Sequence, residues 1–278
     1  MARPALLFSL VSIILASGCN ARIEPTYKEN DIPSIIKKIC LDEYKLDVTT
    51  KRTDSTIWIY APMTKMLHKD YGKKEGQIFD EELVEKLRNI LITVGRVLIS
   101  SDNTPDFYCL TASDINLGID YTLMGYVLDM KKSYAEFIPW PEANRRYVIK
   151  FQLAADAIGD KTGSHVKTYG IKLPDFLANQ IAQRIAASFQ EEELKNYFQV
   201  DKCEGRIEKN IFYFDYIIKQ TAKPKEDIDI TKRMLDIISY CIQSYEFNDF
   251  SGVVLTDLLT QNKLDFNKGA IVDRPKEL

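Results

Sequence analysis

Apolar residues recur at helical spacing in four places along the chain. The clearest is 80–100, where Leu83, Leu87, Ile90, Val94 and Val97 form one stripe with Val84, Leu91 and Leu98 beside it. That spacing predicts a long helix with one face in a core. Asp80 stands where an N-cap acceptor is wanted, and Glu81 and Glu82 suit the positive end of the helix dipole. A shorter stripe, Ile35, Ile36 and Ile39, predicts a helix over 32–41. From Pro174, Leu177, Ile181, Ile185 and Phe189 make a ridge with Ala178, Ala182 and Ala186 alongside. From Asp229, a fourth helix carries Met234, Ile237, Ile238, Cys241 and Tyr245.

Between the stripes the period changes to two. Segments 46–50 and 56–60 predict strands joined by a turn at Arg52–Ser55, with Ile57 and Ile59 on one face and Trp58 and Tyr60 on the other. Further strands are expected at 106–112, 119–130, 133–138 and 146–153, an antiparallel meander with a corner at Pro139-Trp140-Pro141. An aromatic strand at 207–219 and a last one at 252–259 follow, and the charged tail after Asn262 reads as loose. Helix followed by one or two strands therefore recurs without any residue-level repeat. The expected class is α+β, with a largely antiparallel sheet or sheets and helices packed on one face. The Gly/Lys/Thr-rich stretch 159–170 suggests two lobes, 32–160 and 171–278, unless they form one continuous domain.

The first residues have a different pattern. Arg3 precedes an apolar run, Ala5 to Gly18, shorter than the roughly 20 residues a bilayer span requires. The run ends in Leu15-Ala16-Ser17-Gly18-Cys19, which resembles the lipobox of bacterial lipoprotein precursors, with Ala16 where that class most often has Leu and Leu15 one place earlier. The resemblance implies a signal peptide over 1–18 and lipidation of Cys19. It also implies a cell-envelope protein held to the membrane through its N-terminal lipid anchor. Asn20 in place of Asp favours the outer membrane over the inner. The polar stretch 19–31 is then a tether reaching roughly 40 Å at most.

Composition narrows the functions. The net charge of −3 at pH 7 gives no basic footprint for nucleic acid. Cys40, Cys109, Cys203 and Cys241 include no C-x-x-C pair, so no zinc or redox motif is expected. An exported compartment permits disulfides, with Cys40 and Cys203 the better candidates. No cofactor, metal or catalytic residue is expected. His68 and His165 fall in polar loops that read as solvated, and Glu226, Asp227 and Asp229 read as acids at a helix start. Trp140, Arg145 and Arg146 form the most suggestive exposed patch, because Trp and Arg are enriched at binding hot spots.

The leading expectation is a binding or assembly component of the envelope, with other envelope proteins as partners. A hydrophobic-ligand or lipid carrier would instead show a contiguous apolar pocket between sheet and helices. A hydrolase built on the strand-end carboxylates Asp114, Asp120 and Asp129 would show two carboxylates, or a Ser/His pair, converging in one cleft.

Overall fold

The computed structural model describes residues 25–72, 78–224 and 227–274. The lipobox with Cys19, and Glu226, lie outside the described residues. The chain is α+β, built on two mixed, largely antiparallel sheets.

The first sheet contains β1 (Thr49–Thr53), β2 (Thr56–Met63), β3 (Phe107–Asp114), β4 (Ile119–Tyr126) and β5 (Val148–Leu153), in that spatial order. Helix α1 (Ile32–Tyr44) precedes β1, and α2 (Glu81–Ile99) links β2 to the parallel strand β3. Two short helices, α3 (Val127–Tyr134) and α4 (Trp140–Arg145), lie between β4 and β5. The second sheet is β6 (Phe198–Glu208), β7 (Ile211–Gln220), β8 (Gly252–Asp257) and β9 (Lys263–Asn267). Helix α5 (Leu173–Ser188) precedes it, α6 (Ile230–Ser244) joins β7 to β8, and the short α7 (Lys268–Val272) follows β9.

Both sheets pair in the same sequence. An antiparallel hairpin comes first, a helix then crosses to a parallel strand, and a second antiparallel hairpin ends the unit. The recurrence of helix and strands seen in the sequence is thus a duplicated helix–strand–strand–helix–strand–strand unit. β5 is the one strand of the first sheet with no counterpart in the second.

Local chemistry explains the element ends. The Asp80 carboxylate accepts the Glu82 N–H at 3.1 Å, and Asp229 accepts the Lys232 N–H at 2.9 Å, so α2 and α6 begin at their predicted caps. On the helix-facing side of the first sheet, Ile57, Ile59, Tyr108 and Leu110 meet Ile36 and Cys40 of α1 and Ile90, Val94 and Val97 of α2. In the second sheet, Phe212, Phe214, Val253 and Leu255 meet Leu177, Ile181 and Ile185 of α5 and Met234 and Ile238 of α6. Close approach there depends on Gly205, where a Cβ would lie 2.1 Å from the Ala178 carbonyl oxygen.

The opposite face of the first sheet is also covered. Trp58, Phe107, Cys109, Met124 and Val148 pack against Ile171 and Phe176. The Gly-rich segment is a strap across this face. The Trp58 indole donates to the Tyr169 carbonyl at 3.0 Å, and the Ile171 N–H donates to Thr56 Oγ1 at 2.9 Å. Gly163, at φ +77°, lies where a Cβ would be 2.5 Å from the Tyr60 ring.

Several expectations are corrected. The strand expected over 119–130 ends at Tyr126, and the strand expected over 133–138 is the end of α3 and a turn with Glu136 at φ +60°. Val127 and Met130 are buried at helical spacing there, which a period-two reading splits. β6 and β9 were not expected. β6 is a charged edge strand whose bulge between Val200 and Lys202 breaks the alternation, and β9 sits at the other edge with polar residues turned outward. Among the described residues the four cysteines are free, with Cys40, Cys109 and Cys241 buried.

Candidate functional site

Two helices cannot cover five strands. α1 and α2 pack over β1 to β3, and the same face of β4 and β5 extends past them. Tyr121 and Leu123 of β4 sit opposite Phe151 and Ile149 of β5 in register, and both β5 residues are exposed. Between α2, this part of the sheet and the pair α3–α4 lies a cavity of about 540 Å³. That size is within the range of about 300–1,000 Å³ usual for small-molecule sites.

Its walls are aromatic and aliphatic. Leu87, Leu91 and Ile92 come from α2, Leu110 and Leu123 from the sheet, and Tyr134, Trp140 and Tyr147 from the far side. Two glycines make room for its rings. A Cβ on Gly125 would lie 2.3 Å from the Tyr108 ring, and one on Gly95 would lie 2.7 Å from the Tyr134 hydroxyl. Phe79 meets Tyr121 edge-on at 5.3 Å, and Tyr134 meets Trp140 edge-on at 6.4 Å. Burial pushes the phenols of Tyr108, Tyr121 and Tyr134 upward, so they stay neutral. The Ser133 hydroxyl lines the cavity, buried and without a hydrogen-bond partner among the described residues.

One end of the cavity is closed by a buried ionic network. Arg146 Nη1 donates to Asp129 at 2.7 Å, and its Nε donates to Glu142 at 2.9 Å. Arg184 donates to the other Glu142 oxygen at 2.6 Å, and the Tyr245 hydroxyl donates to Asp129. The guanidinium of Arg146 also lies over the Tyr245 ring at 5.1 Å. Burial pushes the Asp129 carboxyl up against the opposing pull of Tyr245 and Arg146. Burial also works against the charge on Arg146, but Asp129 and Glu142 together hold its pKa above the usual value. These residues join α3 and α4 of the first sheet to α5 and Tyr245 of the second. The network therefore fastens the two halves to each other.

The three residues of the predicted patch part company here. Trp140 is 60% exposed at the cavity rim. Arg145 points into a second, open cleft of about 1010 Å³ between α4 and the helices α5 and α6, where Glu191 lies 3.8 Å away. Arg146 is 8% exposed and committed to the network, so it is not a surface donor. Consecutive residues on a helix turn about 100° apart, which sequence proximity alone conceals. The second cleft shares Asn144 and Tyr147 with the first, but its charges of both signs are largely paired with one another.

The strand-end carboxylates have separate roles. Asp114 accepts the N–H groups of Met66, Asn116 and Leu117 and closes a turn. Asp129 belongs to the network, and Asp120 meets His165 and Ser113, with Asp160 on the other side of the His165 ring. His165 Nδ1 lies 2.8 Å from Asp160, its Nε2 lies 3.3 Å from Asp120, and Ser113 Oγ donates to Asp120 at 2.5 Å. Ser113 Oγ is also 3.5 Å from His165 Nε2.

Serine, histidine and carboxylate converge, but the arrangement is that of a clamp. A carboxylate lies at each ring nitrogen, and the Ser113 hydroxyl donates to Asp120, so these contacts tie the strap to the end of the sheet. Ser113 is fully buried, and neither cavity opens onto it. The His165 side chain is 6% exposed, so the expectation of a solvated histidine is corrected. It holds the strap to the sheet.

Burial alone would raise the Asp160 carboxyl, but His165 and the Thr162 and His165 N–H groups hold it well below the usual carboxylate range. A pKa lowered in the folded state adds stability above the unfolded value of about 3.9, and that stability is lost as pH falls below it. Asp160→Asn is therefore expected to be less stable at pH 7 and to show a flatter decline in urea midpoint from pH 5 to pH 2. An unchanged acid limb would show that the clamp does not contribute through this carboxylate.

Among the described residues, no group of three or more His, Cys, Asp or Glu side chains is placed to hold a metal ion, and no helix is long and apolar enough to cross a membrane. Comparison of the chain with protein-family models, curated proteins and solved structures gives no match.

Proposed function

We propose that the chain is a lipid-anchored envelope lipoprotein whose first sheet binds an elongated apolar ligand between α2 and α3–α4. The observation that carries this reading is the contiguous aromatic cavity over β3 and β4, the feature that separates a ligand carrier from a protein with a filled core. The anchor at Cys19 rests on the lipobox resemblance and keeps the cavity near one membrane surface. Burying about fourteen methylenes gains roughly 11 kcal/mol gross at ~0.8 kcal/mol each. Association costs at least ~4 kcal/mol, which leaves affinity in the roughly micromolar range.

The test is fluorescence titration of the Cys19→Ala protein, recovered in the soluble fraction, with a neutral pyrene-labelled alcohol of sixteen carbons. Saturable micromolar binding at one site is expected. Absence of binding up to the probe's solubility limit removes the carrier reading, and a wild-type protein already soluble removes the anchor.

Assembly with another envelope component is a second reading. It is favoured by Leu153, 84% exposed at the end of the apolar row that begins with Ile149 and Phe151 on edge strand β5. Crosslinking in native envelopes to a photoreactive residue at position 153 tests it, and no adduct there counts against it.

A further inference from the structure

The cavity wall contributed by α2 has one residue out of keeping with the rest. Val84, Leu87, Leu91 and Ile92 are apolar, and Arg88 lies among them, exposed and lining the cavity. Every other arginine among the described residues has a carboxylate within ion-pair distance. Arg88 has none. The one acid that lines the cavity, Asp129, is already committed to Arg146 and Tyr245 and cannot serve it.

The cavity therefore offers a guanidinium whose five N–H donors are unused among the described residues. Beside it is a mainly apolar chamber whose other polar groups, outside the paired Asp129 and Arg146, are tyrosine hydroxyls, Asn144 and the unpartnered Ser133 hydroxyl. A neutral hydrocarbon uses neither. A cationic head would be repelled by Arg88, and a dianionic or bulky head would meet no second free cation among the described lining residues. One oxyanion on one alkyl chain matches the inventory: the head takes two guanidinium N–H bonds while the chain lies against Leu87, Leu91 and Leu123.

We infer that the ligand of this cavity is a single-chain oxyanionic amphiphile, with Arg88 holding its head group. This inference rests on the ligand-binding reading above and specifies it. Carboxylate and monophosphate heads share the chemistry, and they are separated by using both as probes.

The experiment compares hexadecanoate, hexadecyl phosphate and hexadecanol on the Cys19→Ala protein and on its Arg88→Gln and Arg88→Lys variants, by displacement of the pyrene probe. Arg88 is exposed on a long helix, so both variants are expected to melt with the parent. At least one anion is expected to bind about tenfold more tightly than the alcohol, an advantage that shrinks with added salt. Arg88→Gln should erase that advantage and leave hexadecanol unchanged, and Arg88→Lys should retain part of it. The tighter of the two anions identifies the head group. Equal affinity for acid and alcohol overturns the inference while leaving the cavity reading intact. An anion preference that survives Arg88→Gln overturns the assignment to Arg88. If all three amphiphiles fail to displace the probe, the cavity reading fails with it.

Discussion

Arg146→Ala is expected to destabilise the fold by about 3–5 kcal/mol, read as a lower urea midpoint at unchanged slope. Arg146 is 8% exposed, and its guanidinium holds Asp129 at 2.7 Å and Glu142 at 2.9 Å. Truncation leaves the Asp129 carboxylate in a site where burial already works against its charge, with only the Tyr245 hydroxyl to compensate. Glu142 keeps Arg184 and suffers less. The stacking of Arg146 on Tyr245 is lost as well.

A double variant, Arg146→Met with Asp129→Leu, removes both charges and should recover most of the loss, because the penalty comes from the stranded partner. The cycle of single and double variants then gives a coupling energy. A single-variant loss below about 1 kcal/mol would mean that water reaches Asp129 and that the two halves are fastened elsewhere, for example through the contacts of Phe107 with Phe176 and Tyr126 with Tyr245.

This network was hidden in the sequence, where Asp129, Glu142, Arg146, Arg184 and Tyr245 are spread over more than a hundred positions. What could be read was local. The stripes from Leu83 and Leu177, the caps at Asp80 and Asp229, and the alternation of Ile57 and Ile59 with Trp58 and Tyr60 all express a period that each element carries by itself. β6 and β9 were missed because their outward residues are charged or polar and, in β6, the bulge after Val200 breaks the alternation of Phe198 and Val200 with Cys203 and Ile207, while β9 is only five residues long. The Gly-rich strap reads as a linker by composition. Its Asp160, Thr162 and His165 are instead satisfied by one another and by Asp120, so a largely polar segment covers a sheet face with only Val166 and Tyr169 as apolar contacts of its own.

A cavity is harder still to read, because periodicity describes what is packed and not what is left empty. One signal did stand in the sequence. The apolar arc of α2 is wider than its core stripe, with Val84 and Leu91 beside it, and Arg88 interrupts that extra width. An apolar arc with no helix to cover it, next to Gly95, marks a helix side that faces neither the core nor plain solvent. The glycines also explain themselves once the rings are placed, since Gly95 and Gly125 admit Tyr134 and Tyr108.

Filling that space is expected to separate binding from stability. Leu91→Trp places an indole between α2 and the Tyr121–Leu123 floor, on a half-buried position that lines the cavity. The added ring displaces the equivalent of about four ligand methylenes, or ~3 kcal/mol at ~0.8 kcal/mol each. Affinity for the pyrene alcohol should therefore fall about a hundredfold. The same ring buries surface that is otherwise left against a void, so the fold should gain about 0.5–2 kcal/mol. Opposite signs in the two measurements are the expected signature of a cavity kept open for a ligand at the expense of packing. Equal binding by Leu91→Trp would place the probe elsewhere, on the β5 row or in the open cleft. A large loss of stability would mean that Leu87, Leu91 and Tyr121 already meet in solution and that the space collapses when empty. Urea titration and probe displacement on one preparation decide among these outcomes, because a collapsed cavity predicts weaker folding and weaker binding together, whereas an open one predicts that they diverge.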